Sequence, residues 1–289
     1  AAAFRALGPG RLRPMGDLAG ATLRLMNGSD ISAAAQLSAE AGWNQTDEDW
    51  RMLIDLAPEG CLAMEFDGEL AATTTLFCYG RRLAWIGMVL TKLHYRGRGL
   101  ARSLLTEALA QADRKGIETV KLDATDQGKP LYEKLGFRSE QAVERWSRSG
   151  PAHVPLAAPY ALRSEEWRDS DAQAFGVDRS QLLQTLALRN PPFSVARSYL
   201  FTRPGRLTAY LGPCVCDGPR SARTLLERAL QTASSLGCSW DLLPKNASAV
   251  AIAHDLGFTP KKHLLRMVRG KDLRGNEEAI YAIAGFELG

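Results

Sequence analysis

Arg96-Gly97-Arg98-Gly99-Leu100-Ala101 combines residue types that together could hold a phosphate. Two glycines let the backbone approach an anion where a Cβ would stand in the way. The arginines carry planar donors that match phosphate oxygens. Before the hexapeptide, the apolar segment Leu83 to Leu90 predicts a buried strand. After it, from Arg102 to Lys115, Leu104, Leu105, Ala108, Leu109 and Ala112 recur at helical spacing. Strand, glycine-rich turn and helix in that order turn unpaired backbone N–H groups and the positive end of a helix toward the anion. The turn lacks the G-x-G-x-x-G pattern of dinucleotide sites.

The elements that must position this turn are legible around it. Leu23 to Leu25 reads as an opening strand, Ser29-Asp30 as the cap of a helix through Ala41, and Thr46-Asp47-Glu48-Asp49 as the cap of a second helix through Leu56. Cys61 to Phe66 and Leu70 to Tyr79 alternate and are joined by Asp67-Gly68, a hairpin signal. After the central strand, turn and helix come a strand over Thr119 to Ala124, a short helix over Lys129 to Leu135 ended by Gly136, and a strand around Val143 to Trp146.

The second half repeats the first. Ala101-Arg102-Ser103-Leu104-Leu105 returns as Ala222-Arg223-Thr224-Leu225-Leu226, and Leu135-Gly136-Phe137 as Leu256-Gly257-Phe258, both displaced by 121 positions (Ala101 to Ala222). Gly116 and Gly237 obey the same displacement. The expected organisation is a disordered tail over 1–20, a first domain over 21–148, a Pro/Gly-rich linker over 149–159, a second domain over 160–270, and a segment over 271–289 that docks as a strand or extended piece. The tail carries Arg5, Arg11 and Arg13, as a transit peptide would, but no hydroxyl residues.

Composition narrows the class. With 36 basic and 32 acidic residues among 289, the net charge of +4 is too balanced to argue for nucleic acid. No apolar run approaches the ~18 residues of a membrane span. Five cysteines without a C-x-x-C predict reduced thiols, no metal site and a cytoplasmic setting.

With these residues in place, the chain resembles the GNAT superfamily of acyl-CoA N-acyltransferases, in particular its tandem two-domain members. The phosphate-loop pattern of that family falls on Arg96, Gly99 and Ala101, and its later Tyr-Glu-Lys-Leu-Gly-Phe stands here as Tyr132 to Phe137. The resemblance implies an α/β fold of two GNAT-like domains, each with a mixed, mainly antiparallel splayed sheet flanked by helices. It implies acetyl-CoA as co-substrate and no metal. The strand residues Val89, Leu90 and Thr91 would receive the pantetheine arm, and the amides of Gly97, Arg98, Gly99, Leu100 and Ala101 the pyrophosphate. Arg98 and Arg102 are outer phosphate contacts or solvated helix-start arginines. Tyr132 matches the proton donor of the family.

Elsewhere the pattern departs from many relatives. Lys121 stands where some carry a glutamate, and Thr125 or Asp126 where an asparagine is usual. Asp123 and Asp126 are the nearest carboxylates. Asp126 either lines the acceptor side or caps the Lys129 helix. Trp43 and Asn44, between the first two helices, lie where the family commonly covers its acceptor pocket, though Trp43 serves equally as a plug between helices.

At the displacement of 121, Arg96 becomes Asp217, Arg98 becomes Pro219, Gly99 becomes Arg220 and Tyr132 becomes Ala253. An acid repels pyrophosphate, proline removes a donor, and alanine cannot give a proton, so the second copy is expected not to bind CoA. The expected function is a direct N-acetyltransferase with one active site in the first domain, acting on a primary amine of a small molecule, as a monomer or homodimer. Acetylation of a protein lysine or N-terminus, and non-catalytic acyl-CoA binding in regulation, stand as alternatives.

Overall fold

The hairpin signal Asp67-Gly68 forms a tight turn in which both residues have positive φ (51° and 81°), the pairing that matches the twist of two antiparallel strands. It belongs to the first of two units into which the chain divides in a computed structural model that describes residues 20–150, 166–232 and 237–289. Most of the 1–20 tail and of the 149–159 linker lies outside the described residues. The first unit holds residues 20–78 and Ile86–Gly116. It contains β1 (Ala21–Leu25), α1 (Ile31–Glu40), α2 (Asp47–Leu56), β2 (Cys61–Phe66), most of β3 (Glu69–Tyr79), the later part of β4 (Leu83–Thr91) and α3 (Leu100–Arg114). The strands lie in the order β1-β2-β3-β4.

Thr46 and Asp49 cap α2 reciprocally, the Asp49 amide donating to Thr46 Oγ1 at 3.2 Å and the Thr46 amide to Asp49 Oδ2 at 2.9 Å. The cap expected at Ser29-Asp30 sits one turn earlier. Asn27 Oδ1 accepts from the Ser29 amide and Asp30 Oδ2 from the Asn27 amide, so a short 3₁₀ turn over Gly28–Asp30 precedes α1. Asparagine in extended backbone can cap where serine within the turn cannot. The indole of Trp50 donates to Ser38 Oγ at 2.9 Å, which fastens α2 to α1.

The second unit holds Tyr79–Trp85 and Ile117–Gly289. From the start of β4 it continues through β5 (Thr119–Ala124), α4 (Lys129–Lys134), β6 (Arg138–Arg148), α5 (Glu166–Phe175), α6 (Ser180–Arg189), β7 (Phe193–Val195), β8 (Ser198–Arg203), β9 (Ala209–Val215), α7 (Pro219–Thr232), β10 (Cys238–Leu242), α8 (Ala247–Asp255), β11 (Thr259–Gly270) and β12 (Ile280–Ala282). Its core gathers Trp146, Trp240, Phe258 and the apolar faces of α7 and α8.

The order of its strands is not the order of the repeat. After β5 comes β11, then β6, β10, β9, β8 and β7. The last strand of the second copy therefore pairs with β5 of the first, and the last strand of the first copy, β6, pairs with β10 of the second. The copies exchange their final strands. One ion pair fastens each exchanged strand. Arg266 on β11 forks onto Asp123 of β5 at 2.9 and 3.0 Å, and Arg145 on β6 forks onto Asp241 of β10 at 2.6 Å twice. Arg145 and Arg266 are themselves related by the displacement of 121.

Both aspartates are fully buried. Removing one partner of such a pair strands a charge that guanidinium cannot shed by losing its proton. Asp123→Ala is expected to cost about 3–5 kcal/mol in urea unfolding. A loss below about 1 kcal/mol would mean that the exchange is held by backbone pairing alone.

Candidate functional site

The phosphate-type turn is built by backbone geometry. Gly97 and Gly99 have φ of 78° and 82°, a left-handed conformation in which a Cβ is strained, and the space a Cβ would enter at either position is open. Gly99 is the N-cap of α3, and the first bond of the helix runs from the Ser103 amide to Gly99 O at 3.0 Å. From Gly97 through Arg102 no backbone amide donates to a group among the described residues. That run of unused donors stands at the positive end of a fifteen-residue helix, an arrangement able to receive an anion.

Side chains brace the turn from behind. Arg96 Nε donates to Thr91 O at 3.1 Å, folding the loop onto the end of β4. The exposed guanidinium of Arg98 lies 5.3 Å from the ring centres of both Phe66 and Tyr95, a cation–π stack. Arg102 is exposed. Glu69 accepts from Lys92 Nζ at 2.5 Å and Tyr95 Oη at 2.7 Å, and His94 Nε2 lies 3.1 Å away. Three partners on one carboxylate, Lys92 foremost, hold Glu69 down to about 2.

Sequence reasoning missed Met88. In the middle of β4 it has φ of 49°, rare for a side chain of its size, and its carbonyl accepts from Thr73 Oγ1 at 2.8 Å while Gly87 O accepts from Thr74 Oγ1 at 3.3 Å. Gly87 inside an apolar strand was the available signal for such an irregularity. Val89, Leu90 and Thr91 follow directly. Trp43 is partly exposed and Asn44 is buried, both in this first unit.

Tyr132 and Asp126 belong to the second unit. Tyr132 is buried, packs edge-on against Phe137 and crowds Gly128, where a Cβ would meet its ring at 2.8 Å. Its hydroxyl bonds to no group among the described residues, and burial pushes it up to about 12. Asp126 is exposed and does not cap α4. Gly128 is the N-cap of α4, and Thr125 holds the turn before it, its Oγ1 accepting from the Gly128 amide at 3.2 Å. Lys121 and Asp123 are spoken for: Lys121 Nζ donates to Glu140 and to Leu273 O, and Asp123 is held by Arg266. Burial lowers Lys121 and raises Asp123 against the pull of Arg266.

In the second copy each change fits the displaced position. Asp217 accepts from Ser198 Oγ, and a bond from Ser221 holds its carboxyl below the usual range. Pro219 opens α7. Ala253 leaves no ring, and Ala249 stands where Gly128 had to make room for one.

Residues 31–137 match the acetyltransferase (GNAT) family, and residues 168–282 match an acetyltransferase (GNAT) domain. The chain belongs to the GNAT family. It carries two GNAT domains in tandem, in a mixed α/β fold with open mixed sheets flanked by helices. It is 30% identical over 186 residues to the uncharacterized N-acetyltransferase YitH of Bacillus subtilis (strain 168), a match spanning 62% of this chain and 64% of that protein. Over 66 residues it is 37% identical to the glucosamine 6-phosphate N-acetyltransferase of Trypanosoma brucei brucei, covering 23% of this chain and 45% of that one. A crystal structure of a candidate acetyltransferase from Pyrococcus horikoshii superposes with a TM-score of 0.84 at 22% identity, over 96% of this chain and 99% of that one. Among the described residues no helix is long and apolar enough to cross a membrane.

The Glu69 clamp of this GNAT loop carries a pH prediction. A carboxylate held below its ordinary value near 4.3 contributes fully above that value and is lost only as pH falls through about 2. The Glu69 carboxylate therefore stays ionised from pH 5 to 9. Glu69→Ala should speed hydrogen exchange of the Tyr95 and Arg96 amides throughout that range. Unchanged exchange would show that the turn stands without it.

Proposed function

We propose that the chain is an acetyl-CoA-dependent N-acetyltransferase that passes acetyl directly to a primary amine of a small molecule, with a single active site carried by the first copy. The observation that supports it most is the run of unused amides from Gly97 through Arg102, with open space at Gly97 and Gly99 that any side chain would fill. A pyrophosphate needs that arrangement. Acetyl-CoA supplies an activated acetyl thioester.

In this reading Val89, Leu90 and Thr91 receive the pantetheine arm as an added strand would be received, and the amides of Gly97 to Ala101 take the pyrophosphate. Arg102 gives an outer contact. Arg98, stacked on Phe66 and Tyr95, presents its remaining N–H donors at the rim. A strand N–H near Val89 meets the charge that develops on the carbonyl oxygen. Tyr132 donates its hydroxyl proton to the departing sulfur. A phenol held at about 12 keeps that proton at neutral pH. The acceptor amine must lose a proton, and of the two nearest carboxylates Asp123 is held by Arg266 while Asp126 is exposed. Trp43 and Asn44 contribute to the acceptor side. The relative named for glucosamine 6-phosphate favours a small amine.

Isothermal titration is expected to give one acetyl-CoA per chain, and two would overturn the single site. Gly99→Glu should abolish binding. Tyr132→Phe should lower kcat roughly 100-fold and spare the affinity, and equal loss of binding in both variants would reject the assigned roles. Thiol release with a panel of small amines, a lysine peptide and a free peptide N-terminus reads the acceptor. Turnover with the peptides alone would move the substrate class to protein, and none despite tight binding would leave an acyl-CoA sensor. Asp126→Asn should shift the acid limb of the pH–rate profile. An unmoved profile would remove Asp126 from the chemistry.

A further inference from the structure

β9 and β10 of the second copy are the counterparts of β4 and β5. Each couple is parallel and pairs over three rows, Leu83↔Thr119 to Trp85↔Lys121 in the first copy and Ala209↔Cys238 to Leu211↔Trp240 in the second. Beyond Leu211 and Trp240, another part of the chain takes bonds from both strands. On the β9 side, Ile280 and Ala282 of β12 pair antiparallel with Val215 and Cys214, and the Cys216 amide donates to Ala279 O at 2.9 Å. On the β10 side, the Ile283 amide donates to Asp241 O at 3.0 Å and the Trp240 indole to Tyr281 O at 2.6 Å.

The fit is made for this segment. Gly212 has φ of 148°, and a Cβ there would stand 2.3 Å from Ile283 O. Asn246 directs its side-chain amide at two carbonyls of the incoming chain, Glu278 O and Ile280 O, each at 2.9 Å, while its Oδ1 caps α8. Ile280, Tyr281, Ala282 and Ile283 are all buried. Asn246 stands at the position of Thr125, whose Oγ1 accepts from the Gly128 amide and whose single O–H could serve one carbonyl but not two.

We infer that residues 279–283 are a built-in peptide occupant of the cofactor cleft of the second copy, lying along β9 where a pantetheine arm would lie along β4. This rests on the reading of β4 as the pantetheine strand. The second copy has then lost its cofactor twice over: its loop has lost the donors for a pyrophosphate, and its strands have given their free edge to the chain itself. An open cavity of about 480 Å³ beside the segment, lined by Asp217, Pro219, Lys245, Ser248 and Glu278, is what remains of the cleft.

Hydrogen exchange of the full chain tests this. The 279–283 amides are expected to be strongly protected and to stay so when acetyl-CoA is saturating. Asn246→Asp keeps the cap of α8 but turns a carboxylate oxygen toward the two carbonyls, and should raise exchange in 279–283 about tenfold. Exchange at loop rates in the unaltered chain, exposure of the segment by acetyl-CoA, or unchanged protection in Asn246→Asp would each overturn the proposal. Should Asn246→Asp not fold, the unaltered chain with and without acetyl-CoA still decides. Failure of acetyl-CoA to bind at all would defeat the proposed function, and the protection of 279–283 would still show whether the cleft is filled.

Discussion

Parallel strands that part company leave backbone donors and acceptors facing each other across a gap, and buried backbone groups do not stay unpaired. Much of this chain can be understood as an answer to that constraint. In the second copy the answer is protein. Residues 279–283 take up the bonds that β9 and β10 stop giving each other after Leu211 and Trp240. In the first copy the demand falls on β4 beyond Trp85, and the proposed reading gives it to the pantetheine arm. One architectural debt would thus be settled in two ways, by a ligand in one copy and by peptide in the other.

The same second unit has a structural task whatever the second copy binds. β11 stands between β5 and β6, so β5, the strand that leads to α4 and Tyr132, is completed by residues more than 130 positions later in the chain. Arg266 on Asp123 and Arg145 on Asp241 are one device used twice. Each pair is buried and bidentate, which makes a slipped register costly because it would strand both charges. A second copy that had lost β11 would leave β5 and Asp123 without their partners, whatever the state of its own cleft.

Local signals in the sequence carried far. Asp67-Gly68 can hardly be anything but a tight hairpin, and Thr46 three residues before Asp49 specifies its own helix start. The glycines at 97 and 99 announced the left-handed turn that their φ values show. Each depends on neighbours within four residues. The cap at Asn27 was hidden because Ser29 and Asp30 are also good capping types, and only the backbone decides which of them is extended. Asp126 was attractive as a cap for the same reason, yet Thr125 holds the position that Asn246 holds in the other copy. The displacement of 121 contained that answer, since Asp126 falls on Ala247. Strand exchange left no local mark. Arg145 and Arg266 obey the displacement, but their partners Asp123 and Asp241 do not, and nothing in one sequence says which aspartate an arginine will reach.

If the second copy has lost its cofactor, as proposed, its differences from the first read as a sequence of permitted changes. Once Tyr132 has become Ala253, the position of Gly128 no longer has to avoid a ring, and Ala249, a better helix former, can occupy it. Once Gly99 has become Arg220, the loop gives up its left-handed cap and Pro219 can open α7, where its missing N–H costs nothing. Asp217 is held between Ser198 and Ser221, the latter in the first turn of α7. The replacements at 217, 219 and 220 suit a strand-to-helix connection, and they are barred from the first copy if a pyrophosphate must be held there. The contrast between Gly97–Ala101 and Gly218–Ala222 is thus a contrast between a turn kept open against its own stability and the same turn allowed to relax.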